Sequence, residues 1–153
     1  MNYARIEVEA RRMVRSFGRL PISLETLCSK FDIALYFTAL KKYDAYYMTR
    51  RGKRIIVVND GLIKSRQRFS IAHEFGHAVL GHGPIAFHSD GQRPHWQETQ
   101  ANVFAAEILM PKPILVKYGY LTPRQIADLC DVSMQAATIR SEQLGWMQCE
   151  LPF

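Results

Sequence analysis

Long apolar runs are missing from this sequence of 153 residues. None approaches the roughly 20 consecutive apolar residues that span a bilayer, so no membrane helix is expected. Cysteine is scarce. Cys28, Cys130 and Cys149 stand far apart, are odd in number and form no C-x-x-C pair, which points to free thiols in a reducing, cytoplasmic setting. Repeats and low-complexity stretches are absent, and with them the solenoid and disordered classes. The first residues carry arginines, but Glu7 and Glu9 leave no continuous apolar stretch there, so a secretory signal is not expected. The excess of one charge sign is modest. Lys and Arg number 20 against 14 Asp and Glu, a formal +6 that permits contact with nucleic acid or an acidic partner without requiring it.

What is present is material for one globular domain with a core, and too little for two. The spacing of Ile6, Ala10, Met13, Val14 and Phe17 predicts an amphipathic helix over 3–17, and Ser23 can cap a short helix to about Phe31. The pattern then changes to short β-branched and aromatic runs at 33–37, 45–48 and 54–58, with a hairpin loop at 50–53. A small antiparallel sheet is expected. Helical spacing returns over 65–80, where Gly81 and Gly83 supply a stop. Residues 84–96 read as a loop. A second central helix over 97–110 is ended by Pro111 and Pro113. Further helices start at Thr122-Pro123 and at Ser133, the last closed by Gly145.

The chemistry concentrates in the helix over 65–80, which contains His73-Glu74-x-x-His77. Residues four apart share a helix face, with Cβ atoms about 5–6 Å apart, so two imidazoles can converge on one ion. Glu74 is rotated away from that pair and can serve a metal-bound water as its base. Solvated histidines on a polar helix face are the plainer explanation. Against it, the motif sits mid-helix, and Phe69, Ala72, Phe75 and Val79 form a separate core-facing stripe. Glu98, at the start of the next helix, is the expected third ligand, because two antiparallel helices would bring it against His73 and His77. Asn102, one turn on, can orient a ligand, and Ala101 and Ala105 permit close helix approach. Rival ligands are His82, His88, Asp90, His95 and Glu107. Helical geometry takes His82 off the ligand face, His88 and His95 fall in the loop, and Glu107 points elsewhere. Zn²⁺ suits this donor set, with one position left open for water.

Two blocks, Arg66 to His77 and Glu98-Thr99-Gln100-Ala101-Asn102 on to Met110-Pro111, occur in order and at this spacing, and they resemble the ImmA/IrrE family of bacterial and phage metallopeptidases. The resemblance runs from about residue 20 to 145. It implies an α+β, zincin-like core over 1–113 and a helical module over 114–147 within one domain. It also implies zinc held by His73, His77 and Glu98, with Glu74 as general base. Members of this family commonly cleave a helix-turn-helix transcriptional repressor in phage, mobile-element, defence or DNA-damage responses, and some are activated by single-stranded DNA.

Three features allow other expectations. Residues 121–140 have a helix-turn-helix pattern, which opens a non-catalytic, DNA-binding or partner-binding alternative; the second helix offers Met134, Gln135, Thr138 and Arg140, with one cation for phosphate. The cations and tyrosines of 41–54 are those of a single-strand binder, although a solvated hairpin with half-buried tyrosines explains them as well. Cys149, on a short tail, has the chemistry to occupy the open zinc position, whereas Cys28 and Cys130 read as inert.

Overall fold

The structure, a computed structural model, describes residues 2–84 and 92–146. Helices α1 (Tyr3–Val14) and α2 (Leu24–Lys30) precede strands β1 (Ile33–Thr38), β2 (Ala45–Arg50) and β3 (Lys53–Asn59). Helices α3 (Lys64–Val79) and α4 (His95–Leu109) follow, then a single turn α5 (Lys112–Leu115), α6 (Pro123–Cys130) and α7 (Met134–Gln143). The expected elements are therefore present, with α1 three residues shorter than its apolar spacing and α4 starting two residues earlier. Ser23 caps α2 by accepting from Thr26 N–H, and Thr122 and Gln125 form a reciprocal capping box on α6.

The sheet departs from expectation. Its order is β1-β3-β2, with β2 antiparallel to β3 and β1 parallel to it, so it is mixed rather than antiparallel. Arg51 and Gly52, at φ 51° and 75°, make the two-residue turn that forces β2 and β3 to oppose one another. β1 has no such constraint. It joins the other edge of β3, the strand whose uninterrupted Ile55-Ile56-Val57-Val58 suits a central place with neighbours on both sides. The 39–44 connection then carries the chain across to the far edge, which leaves β2 on the outside.

α3 lies under the sheet and packs antiparallel to α4, because its residues 69 to 77 meet residues 106 to 98 of α4 in reverse order. Gly76 permits this approach: a Cβ there would stand 3.1 Å from the Phe104 ring and 3.5 Å from the Ala101 backbone. Ala72, Phe75, Ala101, Phe104, Ala105 and Ile108 fill the interface, and α1 closes the other side of α4 with Ile6, Ala10 and Val14. At the far end of α4 the fully buried Glu107 accepts from Arg11 of α1, Arg140 of α7 and the Lys112 backbone. Arg68 of α3 donates to the carbonyls of Cys130 and Asp131, in the tight turn between α6 and α7 where Asp131 takes the left-handed conformation. Two buried arginines thus fasten the C-terminal helices to the central pair. Cys28 and Cys130 are buried, and burial pushes both thiols up to about 12, so they are inert, as expected. Cys149, His88 and Asp90 lie outside the described residues. Among those described, no helix is long and apolar enough to cross a membrane.

Candidate metal centre

α3 and α4 bring together three of the residues singled out in the sequence. The ligating atoms of His73, His77 and Glu98 all lie within 4.8 Å of one another. His73 Nε2 and His77 Nε2 are 3.0 Å apart, and the Glu98 carboxylate oxygens stand 3.0 Å from the first and 3.1 Å from the second. Ligands bound at about 2.0–2.1 Å in a tetrahedron are separated by about 3.3 Å; the two imidazole nitrogens stand near that spacing, and each has a different oxygen of the Glu98 carboxylate at a similar distance.

The hydrogen bonds behind the two rings fix which nitrogen faces inward. His73 Nδ1 lies 2.8 Å from Asn102 Oδ1, an acceptor, so Nδ1 carries the proton and Nε2 presents its lone pair. His77 is controlled by a longer relay. Its Nδ1 is 2.8 Å from His82 Nδ1, and His82 Nε2 is 2.8 Å from Gln100 Oε1. Gln100 Oε1 accepts from His82 Nε2–H; His82 Nδ1 is then an acceptor, and His77 Nδ1–H must donate to it. Both inward-facing Nε2 atoms therefore carry lone pairs beside a carboxylate. Burial holds His73 and His82 below the ordinary histidine range, which favours these neutral forms. Three electron-rich atoms converging in this way fit a divalent cation, and the imidazole and carboxylate set suits a borderline ion such as Zn²⁺ with a further position open.

The relay depends on how α3 ends. Gly81, at φ 76°, follows the C-cap residue Leu80, and His82 N–H bonds back to His77 C=O at 3.1 Å. This is the glycine-terminated closure in which the chain reverses over the final turn. It returns the His82 ring to His77, at 5.1 Å between centroids, and sets it against Trp96 at 5.7 Å. His82 is not among the three converging residues but touches one of them; the glycine stop at Gly81 is legible in the sequence, whereas the return of His82 onto His77 is not.

Glu74 is one residue removed from His73 and outside this cluster. Its Oε2 accepts from Tyr47 N–H at 2.9 Å and lies 3.5 Å from Arg93 Nη2. Burial pushes its carboxyl up to about 7; Glu98 reinforces the shift, while Arg93 and the Tyr47 amide oppose it. Arg93 was not foreseen. It is buried between the two acids, with Nη1 4.0 Å from Glu98 Oε1 and a buried Nε that has no hydrogen-bond partner. The sequence marks it only as a cation just ahead of Pro94, where α4 opens. Of the rivals, His95 is exposed at the start of α4 and Glu107 is committed to its arginines. Tyr43 and Tyr46 of the basic stretch are half-buried and meet edge to face, with Lys42 over Tyr43, as a solvated hairpin would have them.

Comparison with known proteins identifies the family. Residues 28–142 match the model of the peptidase family M78, the IrrE N-terminal-like domain. A stretch of 69 residues is 41% identical to the radiation response metalloprotease IrrE of Deinococcus radiodurans, covering 41% of this chain and 21% of that protein. The chain therefore spans about a fifth of the curated relative that it matches. A transcriptional regulator of Mycobacterium tuberculosis has a similar fold, with a TM-score of 0.62 at 17% identity over 90% of this chain and 46% of its own. By the family match, which takes in the whole sheet, both central helices and nearly all of α7, this chain belongs to the IrrE N-terminal-like family of peptidases, M78.

Proposed function

We propose that the protein is a zinc-dependent endopeptidase, with His73, His77 and Glu98 as the metal ligands and Glu74 as general base. The observation that carries this reading is the convergence of two lone-pair imidazole nitrogens, 3.0 Å apart, on the Glu98 carboxylate, whose two oxygens stand 3.0 Å from His73 and 3.1 Å from His77, with a second, buried carboxylate next to it. When bound, zinc supplies a Lewis acid and a water whose pKa is lowered to about 7. The remaining roles belong to the chain. Glu74 takes the proton of the attacking water on a carboxylate oxygen and delivers it to the leaving amine, a task suited to a group held near neutrality. Tyr47 N–H and Arg93 hold that carboxylate in place.

The sheet supplies a place for an extended substrate. β2 is an edge strand, and Asp44 C=O accepts from Asn59 N–H across to β3 while Tyr47 N–H turns the other way, to Glu74. Alternation along a strand then gives Ala45, Tyr47 and Thr49 the outward-facing peptide groups; the Tyr47 N–H is taken by Glu74, and a peptide laid along the others passes beside Glu74. Following the family resemblance, the substrate is a helix-turn-helix repressor cut in a stress or defence response, with single-stranded DNA as an activator. Sequence-specific DNA reading by α6 and α7 is disfavoured. Arg140, the cation of the candidate recognition helix, is buried against Glu107 and the Met110 carbonyl, out of reach of phosphate.

Co-expression with a repressor encoded beside this chain tests the proposal. The wild type should cut the repressor, Glu74→Gln should not, and both should retain one zinc by elemental analysis. Equal behaviour of the two proteins would exclude the enzymatic reading.

A further inference from the structure

Away from the metal centre, a cavity of about 440 Å³ opens between α1 and the turn α5, within the range of roughly 300–1,000 Å³ typical of small-molecule sites. Arg11 lines it and bonds Glu107 at 2.9 Å, which sets it beside Glu107 and not beside Glu98. Val8, Arg11, Arg12 and Arg15 stand at i, i+3, i+4 and i+7, so one stripe of α1 and its C-cap forms the first wall. Pro113, Ile114 and Lys117 form the second, from the chain that follows α4.

Four cations and no acid line this cavity. Arg11 is spent on Glu107. Arg12 meets Glu9 at 3.6 Å, a surface pair within one turn that contributes little. Arg15 and Lys117 are exposed, and among the described residues neither has an acidic partner. The partial negative charge at the end of α1 accounts for cations on that helix. It does not account for Lys117, which comes from the opposite wall and adds a like charge to the cluster. Like charges gathered around a concavity repel one another and attract an anion into it.

The walls define what kind of anion fits. Arginine forks bind phosphate oxygens in pairs, and their planes also stack on rings. Val8, Pro113 and Ile114 add apolar surface that a bare inorganic ion would leave uncovered. We infer that the cavity binds a small phosphate monoester carrying an aromatic ring, such as a mononucleotide, with Arg15 and Lys117 on the phosphate and Arg12 shared between phosphate and ring. α1 precedes residue 28, where the family match begins, so the first wall is built outside the matched peptidase region.

Titration calorimetry on the zinc-loaded full chain, at about 150 mM salt to screen loose attraction, tests the site with adenosine monophosphate, adenosine and inorganic phosphate. Adenosine monophosphate should bind at least about 10-fold tighter than either of its parts, because charged contacts and covered apolar surface act together. Arg15→Glu and Lys117→Glu alter exposed side chains, and each should weaken it at least about 10-fold with thermal melts unchanged. Lys41→Glu, the same charge change on an exposed residue outside the cavity, should alter the affinity less than about twofold. No binding of adenosine monophosphate below about 1 mM would overturn the site. So would an affinity unaltered by Arg15→Glu and Lys117→Glu, whether the phosphate then sits on the zinc or elsewhere. An equal loss in all three variants, or inorganic phosphate bound as tightly as the nucleotide, would reduce the cavity to a patch of general charge and overturn it too. A single-stranded oligothymidylate bound far more tightly than the nucleotide, and weakened as much by Lys41→Glu as by Lys117→Glu, would show a nucleic-acid track in place of a small-ligand site.

Discussion

Replacing His82 by phenylalanine isolates the relay behind His77. Phenylalanine keeps a ring of similar size against Trp96 and His77 but removes both nitrogens, and so the acceptor for His77 Nδ1–H and the donor to Gln100. His77 is fully buried, so its loss of this acceptor is not made good by bulk water. Leaving a buried donor unmatched costs about 1–3 kcal/mol. Outer partners of ligating histidines are typically worth 10- to 100-fold in metal affinity, about 1.4–2.7 kcal/mol, and the two ranges agree. Competition against a chromophoric chelator at neutral pH should therefore show His82→Phe binding zinc 10 to 100 times more weakly than the wild type. His82→Gln, whose amide both accepts and donates, should recover much of the loss. Melts of the metal-free proteins separate this effect from general damage. The reasoning is refuted if His82→Phe holds zinc as tightly as the wild type while its metal-free form melts at the same temperature.

Other outcomes follow from the same geometry. Glu74→Gln should lower cleavage by about 10²–10⁴-fold and leave zinc bound, as peptide-bond assays and elemental analysis would show. The same substitution has a pH signature in the metal-free protein. Because the folded carboxyl lies near 7 against 4.5 unfolded, wild-type stability is lost as pH rises from about 4.5 to 7, and Glu74→Gln should be the more stable above that window by up to about 3 kcal/mol in urea melts. Arg140→Met takes one of two arginines from the fully buried Glu107, and thermal melts should register a loss of about 3–5 kcal/mol. Gly76→Ala pushes a methyl into Phe104 at 3.1 Å and should cost about 1–3 kcal/mol, with weaker zinc binding because α3 and α4 are wedged apart.

Much of the site was legible because its parts are local or helical. His73 and His77 are four apart, so helix geometry alone aligns them, and Asn102 stands one turn from Glu98 for the same reason. The core stripe on α3 and the caps at Ser23 and Thr122 were readable in the same way. What escaped depends on contacts between distant segments or on a change of backbone hand. β1 has no short turn to declare its sense, so its parallel pairing with β3 follows from the central burial of β3 and not from any nearby signal. Gly81 is legible as the stop of α3, but the reversal that returns His82 to His77 is visible only in the folded chain. Arg93 sits ahead of α4 with no periodicity to place it, and only the folded chain sets it between Glu74 and Glu98.

α4 works as a rigid rod with one acid at each end. Glu98 faces the two imidazoles, while Glu107, nine residues and about 13 Å further along the axis, is gripped by the first and last helices. Anything that pulls on those outer helices therefore bears on the seat of that rod. A displacement at the gripped end is carried along the same helix to Glu98, the carboxylate that faces the two imidazoles.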